Sequence, residues 1–272
     1  MKLSVLPVSL FKNIISKEMS VGDWAREGVS LGLDAIDISI IFLEKRDSQY
    51  LKNFRREIEN EGIQVAVAST YPDFTNPDEG ERIRQREQFH KDIQDLAEVG
   101  TRIIRVTAGQ AHPGLKIKDG KKWALEGIIG SLEIAKKSGV QLVFENHSKP
   151  GVWKYPDFDF PTDIFLSLAK ELKGTPVKIL FDCANPIAYG DEPLPILSKV
   201  INDVICIHAS DTKEKGKLNP SIIGQGLVPY KQIFSFLKKH SYCGWISIEE
   251  ASGKGIEGLE KAVEFIKNEW NK

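Results

Sequence analysis

Four segments in the second half of the chain end an apolar run on a side chain that can bind a metal. They are QLVFENHS, with Glu145, KILFDCAN, with Asp182, ICIHASD, with His208, and WISIEEAS, with Glu249. Three carboxylates and one imidazole form an oxygen-rich donor set of borderline hardness. Such a set suits one divalent metal ion, Mn2+, Mg2+ or Co2+ ahead of Zn2+, rather than a thiolate metal. A polar residue at the end of one strand is commonplace, because strands finish at the surface. Four ligand types closing four successive runs call for a common cause. Left alone in a partly buried cleft, three carboxylates would repel one another and resist ionisation. A cation removes that repulsion.

The candidate ligands stand 37, 26 and 41 residues apart, each interval the length of one βα unit with a variable loop. The whole chain repeats in this way, short β-rich runs alternating with amphipathic stretches at roughly 30 residues per cycle. Strands are expected over residues 3–9, 35–40, 63–69, 102–107, 140–145, 177–182, 204–208 and 245–249. Helices are expected over 21–31, 49–61, 79–99, 123–137, 162–172, 230–240 and 256–270, from apolar residues at three- and four-residue spacing. Gly32, Gly62, Gly100, Gly139 and Gly244 fall at helix–strand junctions, where a tight αβ turn suits glycine. Eight units in 272 residues match an α/β fold of one domain, a (β/α)8 TIM barrel spanning residues 1–272. An open doubly wound sheet also alternates β and α. However, no GxGxxG follows the first strand, and Gly224-Gln225-Gly226 is too short and too late to replace it. In a barrel the C-terminal ends of the strands meet at one mouth, so side chains distant in sequence point to one spot.

Composition narrows the function classes. Lys and Arg number 37 against 38 Asp and Glu, a net charge of -1, which offers no global pull toward nucleic acid or an anionic membrane. No run approaches the roughly 18 apolar residues of a membrane helix, and the N-terminus reads as a strand rather than a secretory signal. Cys183, Cys206 and Cys243 are odd in number and widely spaced, as buried free thiols would be, and not a disulfide or zinc framework. A cytoplasmic protein is expected, without nucleic-acid or membrane partners.

The Glu145, Asp182, His208, Glu249 arrangement resembles that of the xylose isomerase-like sugar phosphate isomerase/epimerase superfamily, which includes ketose 3-epimerases, inosose dehydratases and endonuclease IV. The similarity runs over essentially the whole chain and includes YPDFTNPDEGERIRQ, EVGTRIIRVTAGQ and GWISIEEASG. It implies a TIM barrel holding one divalent metal and acting on a small-molecule sugar substrate. In the epimerase members, two metal-binding glutamates exchange protons on opposite faces of the substrate. Carried over, these catalytic residues are Glu145 and Glu249, working through a cis-enediolate. Glu249 and Glu250 point to opposite sides of their strand; Glu249 is the expected ligand, and Glu250 a solvated or inter-helix carboxylate. Members of the superfamily often form dimers or tetramers, so a homo-oligomer is compatible with the resemblance, although no interface signature stands out.

The chain departs from the epimerase pattern in two places. Asp182-Cys183-Ala184-Asn185 stands where many members have Asp-x-x-His, and Glu214 stands where ketose 3-epimerases place an Arg. Asn185 can hydrogen-bond a substrate hydroxyl but cannot shuttle a proton. Only five histidines are present, too few for the three-metal cluster of endonuclease IV. Further substrate-binding candidates are Arg105, near the end of strand four, and His147, on the Glu145 face if the strand continues. Asp211 is a third, either orienting the His208 imidazole or capping a turn. Trp153, Tyr155 and Phe158 either roof a sugar ring or pack their own loop down. The leading expectation is a metal-dependent isomerase or epimerase. A dehydratase using the same enolate chemistry and a non-catalytic sugar-binding barrel are the alternatives.

Overall fold

Eight short runs rich in Val, Ile and Ala, buried along most of their length, must be covered on both sides, as the strands of a parallel sheet are. The computed structural model describes residues 1–149 and 151–272. All eight strands are present: β1 (Lys2–Leu6), β2 (Ile36–Ser39), β3 (Val65–Ser69), β4 (Ile103–Val106), β5 (Gln141–Glu145), β6 (Lys178–Asp182), β7 (Val204–Ala209) and β8 (Trp245–Glu249). They pair in parallel in the order β1-β8-β7-β6-β5-β4-β3-β2. The seam between β1 and β2 is closed where Asp34 and Leu3 meet. The Asp34 backbone N–H donates to the Leu3 carbonyl (2.9 Å), and the Leu3 N–H donates to Asp34 Oδ2 (2.8 Å). The expected (β/α)8 TIM barrel is therefore the fold.

Inside the barrel, Ala35, Ala66, Val67, Val143, Leu180 and Cys206 form a small apolar floor, with Ile103 and Trp245 against it. Side chains two residues apart share a strand face. One step toward the mouth, this floor is therefore replaced by Asp37, Arg105, Glu145, Asp182, His208 and Ser247. The barrel interior is apolar at its base and polar at its top, and the site is the polar layer.

Helix ends follow local chemistry. Ser20 and Asp23 form a reciprocal capping box at Val21–Ser30, and Asp78 caps Glu79–Val99, which ends in left-handed Gly100. Gly32, Gly62 and Gly139 also take positive φ at their junctions. Several expectations are corrected. The strand expected over 3–9 stops at Leu6, because Pro7 leads into a 3-10 turn, Val8–Leu10. The helix expected over 123–137 is two, Ile117–Ile129 and Leu132–Lys137, and the Ser131 hydroxyl bonds back to the Gly127 carbonyl at the break. Between β6 and β7 lie two unanticipated helices, Asn185–Tyr189 and Pro193–Val200, each with proline in its first turn. Cys183 and Cys206 are buried, whereas Cys243 is exposed. Among the described residues no helix is long and apolar enough to cross a membrane.

The loops after β3 and β4 touch through Gly109. Its φ is +124°, and a Cβ there would lie 2.4 Å from Thr75 Oγ1, 2.7 Å from Thr75 N and 2.8 Å from Phe74 N. Two of those atoms are backbone and cannot step aside cheaply. Gly109→Ala should therefore cost about 2 kcal/mol or more and lower the thermal midpoint by several degrees. An unchanged melting curve would show that the two loops do not depend on this contact.

Candidate active site

Each of the last four strands delivers one side chain to the mouth. Glu145, Asp182, His208 and Glu249 present ligand atoms that all lie within 4.8 Å of one another. A divalent ion about 2.1 Å from each donor sets opposite donors about 4.2 Å apart, so the cluster is of the right size. His208 Nδ1 lies 2.6 Å from Glu145 Oε1 and 2.9 Å from Glu249 Oε2. Asp182 is fixed by the chain's own turn: its Oδ1 accepts the N–H groups of Ala184 (2.9 Å) and Asn185 (2.6 Å), and its Oδ2 accepts the Ser210 hydroxyl (2.6 Å). Asn146 clamps the ends of β5 and β6. Its Nδ2 donates to the Asp182 carbonyl (3.0 Å) while its Oδ1 accepts the Asp182 N–H (2.7 Å).

The electrostatics are those of a site arranged around a positive charge. Burial pushes the Glu145 carboxyl up, but the charges of His208 and Arg105 outweigh it and hold Glu145 down at about 2. Burial, together with the negative charges of Glu249 and Glu145, pushes Asp182 up to about 8. Burial disfavours charge on His208, yet Glu145 and Glu249 hold its proton well above the usual imidazole range. Protons on Asp182 and His208 thus balance the cluster in the metal-free protein. The four residues form a buried donor cluster of the kind that holds a divalent ion.

Arg105 is 2% exposed. Its Nε is 3.3 Å from Glu145 Oε2, and its guanidinium lies 4.8 Å from the centre of the Tyr71 ring. Both Nε and Nη1 are buried without a hydrogen-bond partner among the described residues. A buried guanidinium with unsatisfied donors is costly unless something arrives to accept from them. His147 is also buried; its Nδ1 stands 3.4 Å from Asp157 Oδ2. Behind it, burial and the neighbouring Asp157 carboxylate hold the Asp159 proton well above the usual range.

Other candidates lie elsewhere in the network. Asn185 commits its Nδ2 to the Asn146 carbonyl (3.0 Å), which leaves its Oδ1 for another partner. Asp211 takes up the turn-capping alternative. Its Oδ1 accepts from the N–H groups of Thr212 and Val228, and its Oδ2 from those of Gly224 and Gly226. It organises the loop after β7, the second of its two expected roles. Glu250 is fully buried rather than solvated, with Oε1 accepting the Ser252 N–H. Trp153 and Phe158 pack the loop after β5 downward. The Trp153 indole donates to the Tyr71 carbonyl (3.3 Å), and Phe158 fills the space above Gly120. Asp73 accepts from the Gln110 backbone N–H and Nε2, and lies 2.8 Å from His112 Nε2. Gln110 Oε1 in turn accepts the N–H groups of Lys154 and Tyr155. Three loops are thereby knitted into one wall. Sequence reasoning missed Asn146, Tyr71, Asp157 and Asp73. Only Asn146, directly after Glu145, carried a local signal.

Because Asp182 and His208 hold protons in the metal-free state, a cation must displace them. Raising the pH from about 6 to about 8 should tighten Mn2+ binding by about tenfold or more per unit. Calorimetry in buffers of different ionisation enthalpy would count the protons released, and a pH-independent affinity would contradict this charge balance.

The profile of the xylose isomerase-like TIM barrel family matches residues 25–269. The chain is 26% identical over 211 residues to an inosose dehydratase of Clostridium beijerinckii, covering 65% of this chain and 67% of that protein. It is 24% identical over 251 residues to the L-ribulose-5-phosphate 3-epimerase UlaE of Escherichia coli, covering 88% and 86% of the two chains. In fold it is similar to D-psicose 3-epimerase from Clostridium cellulolyticum H10, solved with D-tagatose, with a TM-score of 0.77 at 14% identity over 99% of both chains. A barrel of eight parallel strands and a family profile spanning most of its length agree: this chain belongs to the xylose isomerase-like TIM barrel family.

Proposed function

We propose that this protein is a metal-dependent isomerase or epimerase of a sugar or a related polyhydroxy carbonyl compound. Glu145, Asp182, His208 and Glu249 would hold the metal, and Glu145 and Glu249 would exchange the proton. The observation that carries this reading is the buried four-donor cluster beside the buried Arg105, whose Nε and Nη1 make no hydrogen bond among the described residues. When bound, the divalent ion supplies polarisation of a carbonyl and its adjacent hydroxyl, which acidifies the neighbouring C–H.

The chain's own residues do the rest. Glu249 is the most accessible of the four, with 23% of its side chain exposed, so a substrate entering from the mouth meets it first. Glu145 lies on the floor side, fully buried. The two carboxylates can therefore address a substrate carbon from different directions, one removing a proton and the other returning one. Arg105 can donate to an oxygen that gains charge as the enediolate forms, in a place where water is excluded and such a bond is strong. His147 and the Oδ1 of Asn185 would contact hydroxyl groups of the substrate.

A dehydratase is the second reading, favoured by His147, which Asp157 backs at 3.4 Å. An imidazole so placed can protonate a departing hydroxyl, and the inosose dehydratase of Clostridium beijerinckii is among the relatives. Isomerisation conserves mass, whereas dehydration removes one water and gives a product with new ultraviolet absorbance.

Glu145→Gln and Glu249→Gln should each lower turnover of an identified sugar substrate by about 100- to 10,000-fold, with the circular dichroism spectrum unchanged. Full turnover in either variant would end the proton-transfer assignment.

A further inference from the structure

His208 meets Glu145 and Glu249 through Nδ1. Its other ring nitrogen, Nε2, is buried and has no hydrogen-bond partner among the described residues. A buried imidazole N–H left unpaired is costly. A histidine that binds a metal through one nitrogen gives the proton of the other to a carboxylate, a carbonyl or water, and that bond fixes its tautomer and orientation.

The group placed to serve is in the polar layer of the barrel. Ser247 on β8 is the register partner of His208, and its hydroxyl donates to Asp37 Oδ2. Ser4 on β1, the register partner of Ser247, donates to the same oxygen at 2.9 Å. The Val67 N–H donates to Asp37 Oδ1 at 3.0 Å. Asp37 is 1% exposed, and no lysine or arginine pairs with it among the described residues. Burial pushes its carboxyl up to about 6, against the two serine hydroxyls and the positive charge of His208. A carboxylate at the centre of a barrel, held by three donors and no cation, is an expensive way to fill space, since an apolar side chain would pack there at lower cost.

We infer that Asp37 is a positioning residue for the metal: with Ser247 it forms the acceptor that the Nε2–H of His208 reaches through one buried water, and so keeps Nδ1 turned to the ion. This inference rests on the metal site proposed above. Asp37 touches neither substrate nor metal. Its effect reaches the ion through the orientation and basicity of one imidazole.

The test is Mn2+ affinity, by competition with a chromogenic chelator, in the wild type, Asp37→Asn and Asp92→Asn. Asp92 is another buried aspartate, on the outer helix Glu79–Val99 and paired with Arg46 of the loop before Ser48–Asn60, and serves as the control. Asp37→Asn should bind Mn2+ about 10- to 100-fold more weakly, while its metal-free melting temperature stays at or above that of the wild type, since a buried charge is removed. Asp92→Asn should keep wild-type affinity. A general loosening of the barrel would lower metal-free stability and would not spare metal binding in the control. If Asp37→Asn does not fold, Ser247→Ala carries the test, with a smaller loss of affinity in the same direction. Wild-type affinity in the folded Asp37→Asn protein, or in Ser247→Ala where that variant stands in for it, would overturn the role of Asp37 and leave the metal site standing. A wild-type protein that binds no Mn2+ would remove the metal site, and this inference with it.

Discussion

The rest of the structure depends on the convergence of like charges at the mouth of the barrel. Three carboxylates and one imidazole lie within 4.8 Å of one another, and three of the four are at most 1% exposed. Such a cluster cannot keep all its carboxylates ionised without positive charge close by. Without metal, that charge comes from protons on His208 and Asp182 and from the Arg105 guanidinium. The strands, the polar barrel interior and the loop turns all serve to hold these groups together against their repulsion.

The surroundings show how rigidly the cluster is held. Asp182 has one oxygen held by the turn that follows it and the other by the Ser210 hydroxyl after β7, and Asn146 locks its backbone to the end of β5. Glu249 alone of the four retains appreciable exposure, which gives the cluster a direction: solvent side at Glu249, buried side at Glu145. The wall built from Asp73, Gln110 and the loop after β5 reaches Tyr71 through the Trp153 indole, and Tyr71 in turn lies against the Arg105 guanidinium. Groups set in place before a substrate arrives lose little in reorganisation when charge develops on it, which is the main way a protein lowers a proton-transfer barrier.

Much of this was legible in the sequence, for a physical reason. A strand buried on both faces shows as an unbroken apolar run, so the polar residue ending it is conspicuous; that is why Glu145, Asp182, His208 and Glu249 stand out. The helices Asn185–Tyr189 and Pro193–Val200 were hidden because their prolines read as loop, although proline in a first turn is compatible with a helix. For Asp211 the sequence left two roles open, because three residues past His208 suggests proximity; its carboxylate collects backbone N–H groups, the capping role. Gly224 and Gly226, which looked like a fragment of a nucleotide motif, are two of the donors. A Cβ on Gly226 would lie 2.2 Å from Asp211 Oδ1. Asp37, Tyr71 and Asp157 gain their importance only across strands and loops distant in sequence, and no local pattern announces them.

The metal content of the purified protein is the most direct test of this account. Elemental mass spectrometry of the wild type beside an Asp182→Asn, His208→Ala double variant should find about one equivalent of Mn, Co, Mg or Zn in the first and almost none in the second. A wild-type protein that holds no metal even after dialysis against Mn2+ would contradict it.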